Sequence, residues 1–210
     1  MASDSFPAIV QPMLPTLVKA PFSNPDWIFE PKWDGYRAVC FLENGSVRFA
    51  SKNRKSLTQR FLDLQRIPKS IKAETAILDG EIVALDKKGV PCFAGLRSGK
   101  IASECAIVFY AFDLLNLNGE DLTQKPVTER KRLLKRILPK RDKGRVRYTE
   151  HITGDGERLF RELEKRRLEG MVAKRADSLY VGGRTRAWLK IKTSAGREEM
   201  RKRSEVWKGV

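Results

Sequence analysis

Lys32 stands in the stretch Phe29-Glu30-Pro31-Lys32-Trp33-Asp34-Gly35-Tyr36-Arg37. Trp27, Ile28 and Phe29 precede it and Trp33 follows, so its amine is set among apolar neighbours. A lysine is ordinarily protonated at neutral pH and is then a poor nucleophile. Partial desolvation and nearby cations make it give up its proton more readily. Asp34 adds a carboxylate, Gly35 a turn, and Arg37 a second cation placed to hold a phosphate while Lys32 attacks it. By itself K-x-D-G is equally compatible with a surface lysine in a tight turn.

Four further stretches set polar groups inside apolar runs. In Leu78-Asp79-Gly80-Glu81-Ile82-Val83 two carboxylates flank a glycine, which is costly in a buried strand unless they bind something. Glu81 suits a ribose hydroxyl or a metal ion, or the three residues form an ordinary solvated turn. In Tyr110-Ala111-Phe112-Asp113-Leu114-Leu115, Phe112 is either core or a face for a flat base, a stack worth roughly 1–3 kcal/mol. In Glu169-Gly170-Met171-Val172-Ala173-Lys174-Arg175 a glycine ends a helix and a strand begins. Glu169 sits at that junction, where it can meet a divalent ion, and Lys174 alternates onto the Val172 face. In Trp188-Leu189-Lys190-Ile191-Lys192, alternation puts the two lysines on one face and Leu189 and Ile191 on the other. Adjacent lysines repel and want an anion between them, and they are also the cations able to lower the pKa of Lys32. A lysine-protected edge strand has the same pattern.

The elements that must position these residues are legible in part. Residues 1–26 carry Pro7, Pro12, Pro15, Pro21 and Pro25 and read as an extended lead-in over the surface. Trp27 to Glu30 is a short buried strand delivering Lys32. Strands at Tyr36 to Glu43 and Ser46 to Ser51 are joined by Asn44-Gly45, a type I′ hairpin signal. Thr58 is expected to cap a helix with Phe61, Leu62 and Gln65 to Ile67 on its buried face. Ala76 to Leu85 and Ile107 to Leu115 are strands, the second nearly all apolar, with turns at Lys88-Gly89 and Asn118-Gly119. Amphipathic helices are expected at Thr128 to Leu138 and at Asp155 to Leu168, and final strands at Met171 to Arg175 and Ala187 to Thr193. Residues 27–195 form the main domain. The tail from Gly196 to Val210 is charged, a solvated helix or a frayed end. Hairpins mixed with helices that do not alternate regularly with strands argue for an α+β fold with antiparallel sheets flanked by helices.

Composition narrows the function classes. The 210 residues carry 42 Lys and Arg against 26 Asp and Glu, a formal charge of +16, so a polyanionic partner, usually nucleic acid, is expected. The basic stretch from Lys125 to Arg147, with Arg184, Arg186 and the tail, is placed to track a DNA backbone. A solvated helix face explains part of it. Cys40, Cys92 and Cys105 are odd in number and form no C-x-x-C pair, so they read as buried thiols in a reducing compartment. The single His151 argues against a histidine metal site or a Ser-His-Asp triad. No apolar run approaches the ~18 residues of a membrane span, and no secretory segment opens the chain. The expected location is the cytoplasm, with no membrane partner.

K-x-D-G-x-R, D-G-E, F-D-L-L, E-G-M-V-A-K and W-L-K-I-K, in this order, resemble the motif series of the covalent nucleotidyltransferase superfamily. Within it the pattern is most similar to ATP-dependent DNA ligases, especially the ligase module of bacterial end-joining ligases, over about residues 8 to 193. The resemblance implies an ATP-grasp-like nucleotidyltransferase fold and a lysine that attacks the α-phosphate of ATP. The product is enzyme-AMP; AMP then passes to the 5′-phosphate of nicked double-stranded DNA, and the 3′-hydroxyl displaces it. Carried over, Lys32 is the nucleophile, Glu30 recognises adenine, and Arg37 contacts the nucleotide or the nick phosphate. Glu81 is the ribose and metal-site glutamate, Phe112 the stacking aromatic, and Glu169 the second metal-site glutamate. Lys190 and Lys192 hold the α-phosphate, and the implied ion is Mg²⁺ or Mn²⁺. The pattern departs from the family at Ser51-Lys52-Asn53-Arg54, where Ser-Arg-Asn-Gly is usual. Lys52 keeps the charge for the ribose contact but loses the planar fork, and Arg54 replaces a glycine. Nothing after Lys192 encodes the OB-fold domain that follows in the family, so full sealing is uncertain without one, and a separate OB-fold or end-joining partner is expected for a monomer. An RNA ligase or capping-type nucleotidyltransferase is the nearest enzymatic alternative, and a non-catalytic nucleic-acid-binding module the alternative from another class.

Overall fold

The computed structural model describes residues 7, 9–92, 96, 105–140 and 144–208. In chain order the elements are β1 (Met13–Leu17), β2 (Asn24–Pro31), β3 (Tyr36–Glu43), β4 (Ser46–Ser51), a 3-10 helix (Gln59–Ser70), β5 (Thr75–Leu85), β6 (Ala106–Leu117), β7 (Glu120–Asp121), α1 (Val127–Ile137), β8 (Val146–Tyr148), β9 (Ile152–Gly154), α2 (Gly156–Lys165), β10 (Gly170–Arg175), β11 (Gly183–Lys192) and α3 (Ser194–Lys208). Two open sheets flanked by helices make this an α+β fold. The chain divides into two compact units. The first holds the residues up to Met13, Asp34–Thr149 and Asp177–Gly183; the second holds Leu14–Trp33, Glu150–Ala176 and the residues from Arg184 on.

The sheet of the first unit runs β4-β3-β5-β6-β7, with β8 added to β6 in parallel. The β3–β4 hairpin turns on Asn44 and Gly45, at φ 49° and 75°, as their residue types require. One face of the sheet, with Ala38, Cys40, Leu42, Leu78, Ile82, Ala84 and Phe109, packs against Phe61, Leu64 and Ile67 of the 3-10 helix and Leu134 and Ile137 of α1. The expected α-helix after Thr58 is therefore a 3-10 helix. Thr58 does not cap it; its hydroxyl accepts the Phe49 N–H instead. Leu62, expected inside, is 61% exposed and Leu64 is buried; the backbone breaks at Phe61, whose φ/ψ are not helical, and beyond the break Leu64 and Ile67 return to the core at a spacing of three.

Asp79-Gly80-Glu81 is not a turn but mid-strand in β5. A Cβ on Gly80 would meet the Phe109 ring and the Tyr110 carbonyl at 2.5 Å, so only glycine admits β6 this close. Opposite it the register jumps: Gly80 pairs with Ala111 and Asp79 with Asp113, leaving Phe112 as the bulged residue of β6. Asp113 is fully buried and takes both Nε and Nη2 of Arg130 at 2.8 Å. Arg130 Nη1 donates to the carbonyls of Lys125 and Ser178.

The sheet of the second unit runs β1-β11-β10-β2-β9. Part of the lead-in thus forms strand β1. Phe29, Met171, Ala173 and Ile191 line one face and pack on Leu159, Phe160 and Leu163 of α2. The Asp155 carboxylate caps α2 by accepting the Arg158 N–H. Gly170 does not cap that helix, which ends at Lys165; it opens β10. Its φ of 150°, with the Ile191 carbonyl 2.1 Å from where a Cβ would stand, explains the glycine. Ser194–Lys208 forms α3, so the charged tail is helical and begins before Gly196.

Cys40 is buried, but Cys92 and Cys105 are only half-buried, and their sulfurs lie 2.6 Å apart as free thiols. Partial burial and the neighbouring Cys105 push the Cys92 thiol up to about 11. No helix among the described residues is long and apolar enough to cross a membrane.

Two stability measurements test this account. Arg130→Met leaves the Asp113 carboxylate buried and unpaired, so urea unfolding should show a loss of about 3–5 kcal/mol. A loss under about 1 kcal/mol would mean that the pair is not buried in solution. Arg54 sits at φ 62° in the turn where a glycine is usual. Arg54→Gly should raise stability by about 1 kcal/mol, and a lowered midpoint would show instead that the Arg54 side chain contributes more than its backbone strain costs.

Candidate active site

The polar face of the second unit's sheet is fixed by register. Lys192, Lys190 and Trp188 of β11 stand opposite Gly170, Val172 and Lys174 of β10. Val172 in turn stands opposite Glu30 of β2. Strand alternation therefore puts Glu30, Lys174, Trp188, Lys190 and Lys192 on the face opposite the α2 core. The Lys32 N–H donates to the Gly170 carbonyl at 2.8 Å, which continues the ladder one residue past β2 and brings Lys32 onto the same face. Arg184 and Arg186 share that alternation further along β11 and are exposed.

Glu169 is the point where this face meets. Its Oε2 accepts the Lys32 ammonium at 2.5 Å and its Oε1 lies 3.3 Å from that of Lys192. The Glu169 backbone is held from the other side. The Thr193 N–H donates to its carbonyl at 3.2 Å, and Gly196 lies too close to that carbonyl for a Cβ. Thr193 Oγ1 also donates to the Leu168 carbonyl at 2.5 Å. Thr193 and Gly196 are not legible in the sequence as site residues, since small polar residues after a strand carry no signal of this kind.

Lys190 is held below the ordinary lysine range, first by burial and then by Lys32, Lys192 and Arg184, against a smaller opposing effect of Glu169. So much positive charge with one carboxylate fits a polyphosphate. The divalent ion implied for this site is also compatible: the two ammonium groups on Glu169 occupy both carboxylate oxygens as a cation would. Mg²⁺ commonly binds through one or two carboxylates completed by substrate phosphates and water. Among the described residues no three acidic, histidine or cysteine side chains gather as a metal cluster.

Glu30 is 2% exposed and its Oε2 accepts the Lys174 ammonium at 2.8 Å; Lys174 is 1% exposed. The same ammonium lies 4.2 Å from the centroid of the buried Trp188 ring. The sequence marked Glu30 but not Lys174 as its partner, which only the β2–β10 pairing reveals.

The first unit gathers the other expected residues. Arg37 stands opposite Glu81, and Val39 opposite Asp79, so Arg37, Asp79 and Glu81 share a face. Arg37 gives Nε and Nη2 to Asp79 at 2.6 and 2.5 Å and Nη2 to the Met13 carbonyl at 3.1 Å. Burial works against its charge, but the Asp79 carboxylate outweighs that and keeps it protonated. Tyr180 donates its hydroxyl to Asp79 at 2.5 Å and accepts the Met13 N–H. Burial first, and then the charge of Asp79, push that phenol well above its ordinary value, so it stays a donor. The Arg37 guanidinium also lies 4.5 Å from the centroid of the Phe112 ring, which is 9% exposed. Glu81 is half-buried on the same strand. Lys52 lines a hollow of about 340 Å³ with Gln11, Asn53 and Arg54.

The model of the ATP-dependent DNA ligase domain family matches residues 12–192. The multifunctional non-homologous end joining protein LigD of Mycolicibacterium smegmatis is 32% identical over 174 residues, which are 82% of this chain and 22% of that protein. The SPbeta prophage-derived DNA ligase-like protein LigB of Bacillus subtilis is 29% identical over 185 residues, 87% of this chain and 67% of that protein. Among solved structures, a mycobacterial DNA ligase D complexed with ATP and MES superposes with a TM-score of 0.76 at 32% identity, covering 87% of this chain and 60% of that one. This chain therefore spans about a fifth of the length of such LigD relatives.

If the lysine face binds a polyphosphate, tripolyphosphate should raise Tm. The sign follows from Lys190. With its folded-state pKa below the unfolded value, the unfolded chain binds more protons in the window just below the ordinary lysine pKa, so the unliganded protein gains stability as pH rises through it. The anion is attracted by the protonated cluster. Its Tm gain should therefore be larger near pH ~7 than near pH ~10, and smaller in Lys190→Met. Equal gains at both pH values would place the anion elsewhere.

Proposed function

The chain belongs to the ATP-dependent DNA ligase domain family, and from that premise we propose that it adenylates itself on Lys32 with ATP and passes the AMP to the 5′-phosphate of nicked DNA. The observation that carries this reading is the placement of Lys32 Nζ against Glu169 with Lys192 on the other carboxylate oxygen and Lys190 on the same face. A nucleophilic amine, an acid to orient it and cations for the phosphate are what phosphoryl transfer asks of a protein, since that chemistry is mostly positioning and charge neutralisation.

In this mechanism Glu169 fixes the Lys32 amine in the ground state. Binding of the triphosphate draws Lys192 and Lys190 onto the α-phosphate and loosens the hold of Lys192 on Glu169. Lys32 Nζ, having given its ammonium proton to solvent, attacks the α-phosphorus and releases a second proton to solvent as the phosphoramidate forms. A P–N bond forms, the bond to the bridging oxygen breaks, and pyrophosphate leaves with the electron pair. A divalent cation at Glu169 would neutralise developing phosphate charge. The phosphoramidate then yields AMP to the 5′-phosphate of the nick, and attack by the 3′-hydroxyl releases AMP. Glu30, steadied by Lys174, is assigned to adenine, and Phe112 to stacking on it. Glu81 and Lys52 are assigned to the ribose, Glu81 also to metal, and Arg37 to the nucleotide or nick phosphate. Arg184 and Arg186 are assigned to the DNA backbone.

Residues 27–195 serve as the adenylation module, with 1–26 as its lead-in and 196–210 as its tail. We place the protein in the cytoplasm as a monomer that works with an OB-fold or end-joining partner. Intact mass after incubation with ATP and Mg²⁺ tests the first step. Wild type should gain one AMP, and Lys32→Ala none while still binding DNA. An adduct retained in Lys32→Ala would move the nucleophile elsewhere. An adduct from GTP but not ATP would favour the capping-type chemistry.

A further inference from the structure

Of the three cysteines in the chain, two meet in the first unit. Cys92 and Cys105 are 13 positions apart in sequence, both are half-buried, and their sulfurs lie 2.6 Å apart as free thiols. That separation is inside the about 3.5–4.0 Å at which even carbon atoms touch, and about 0.6 Å longer than a disulfide bond. The chemistry of the lysine face uses neither thiol. We propose that the pair is a redox-modification site: a hydroperoxide converts it to a reversible disulfide that clamps the connection between β5 and β6.

The backbone builds this approach. β5 ends at Leu85 and the chain turns back at once. Asp86 closes the turn: its N–H donates to the Val90 carbonyl at 2.9 Å, and its Oδ1 accepts the Lys88 and Val90 N–H groups at 2.8 Å. Pro91 then bridges to Leu85, and the Cys92 N–H donates to the Ala84 carbonyl at 2.9 Å. Cys105 comes from the other strand. It directly precedes Ala106, the first residue of β6, which pairs with Leu85. Two adjacent residues of β5 thus fix both cysteines, and both side chains pack against the core that holds Ala84 and Ile107. Thiols held in contact need little further ordering to join. Burial first, and then Cys105, push the Cys92 thiol up to about 11, so at neutral pH it is chiefly the uncharged thiol. Proximity, not acidity, makes the bond. Cys40 is fully buried on β3, and burial holds its thiol well above the ordinary range, so it stands apart as an inert third thiol.

The chemistry needs only hydrogen peroxide. One sulfur takes an oxygen from it as the O–O bond breaks, which gives a sulfenic acid and one water. The second sulfur attacks the first; the S–S bond forms, the S–O bond breaks, and another water leaves with the remaining thiol proton. The two thiols lose two electrons and the peroxide gains them. A dithiol reductant reverses the change by exchange and becomes a disulfide itself. In a reducing compartment such a bridge is transient, which is the usual state of a redox-sensing pair.

The test treats the reduced full chain with dilute hydrogen peroxide, alkylates the remaining thiols under unfolding conditions and maps the peptides by mass. A Cys92–Cys105 cross-link, lighter by two hydrogens, should form while Cys40 is alkylated, and dithiothreitol should restore all three thiols. The oxidised protein should melt about 5–10 °C above the reduced one, because the bridge constrains a short loop of the unfolded chain. Cys105→Ser under the same treatment should show neither the cross-link nor the gain in Tm, which separates the bridge from oxidation elsewhere. Cys92→Ser repeats that control on the other partner, so the comparison survives if one variant does not fold. Three results overturn the proposal: oxygen added to the two cysteines without a cross-link, a bridge from either of them to Cys40 or to a second chain, or an oxidised form that melts no higher than the reduced one.

Discussion

The Glu169 carboxylate meets one ammonium group on each oxygen, Lys32 at 2.5 Å and Lys192 at 3.3 Å. Two lysines this close would repel without it, and Lys190 adds a third cation whose pKa burial and its neighbours hold below the ordinary lysine range. The cluster is thus balanced on one acid and biased toward taking up an anion. Glu169 in turn depends on its backbone position. Thr193, Gly196 and the positive φ of Gly170 hold it from three places. The reactive lysine is set by a carboxylate, and the carboxylate is set by backbone contacts that tolerate no extra carbon.

The sheet of the second unit turns this into a two-faced device. Phe29, Met171, Ala173 and Ile191 face α2, and the residues alternating with them face the chemistry. Burial of the apolar face, at roughly 25 cal/mol per Å² removed from water, fixes the register. A slip by one residue would send the lysines into the core and the apolar row into solvent, so the packing on one side protects the chemistry on the other.

The first unit uses buried charge differently. Arg130 and Asp113 are both fully buried and joined by two hydrogen bonds. Arg37 and Asp79 form a similar pair with Tyr180 as a third member. Such pairs add little net stability relative to apolar packing, yet losing one partner is expensive. Their benefit here is placement. Asp79 keeps Arg37 over the Phe112 ring, and the bulge at Phe112 sets that ring out of the regular β6 alternation. The two carboxylates that looked anomalous in β5 thus have separate assignments. Asp79 is consumed by an internal partner, and Glu81 stays half-buried on the same face.

The sequence by itself determined the elements whose cause is local. Asn44-Gly45 dictates its hairpin because both residues accept a positive φ, and alternation along Trp188-Leu189-Lys190-Ile191-Lys192 separates lysines from core through its period of two alone. The motif order also pointed to the family. What it left undecided is non-local. The pairing of Lys174 with Glu30 needs β10 beside β2, and that of Arg130 with Asp113 needs α1 beside β6. The two units are likewise invisible as linkers, since each is assembled from segments separated along the chain. The 3-10 winding after Thr58 follows from tertiary packing of Phe61, Leu64 and Ile67, which overrode a local preference worth only about tenths of a kcal/mol per residue. Local chemistry chose which residues could react. Strand pairing and burial decided which of them met, because a side chain's partner depends on the neighbouring strand and not on the neighbouring residue.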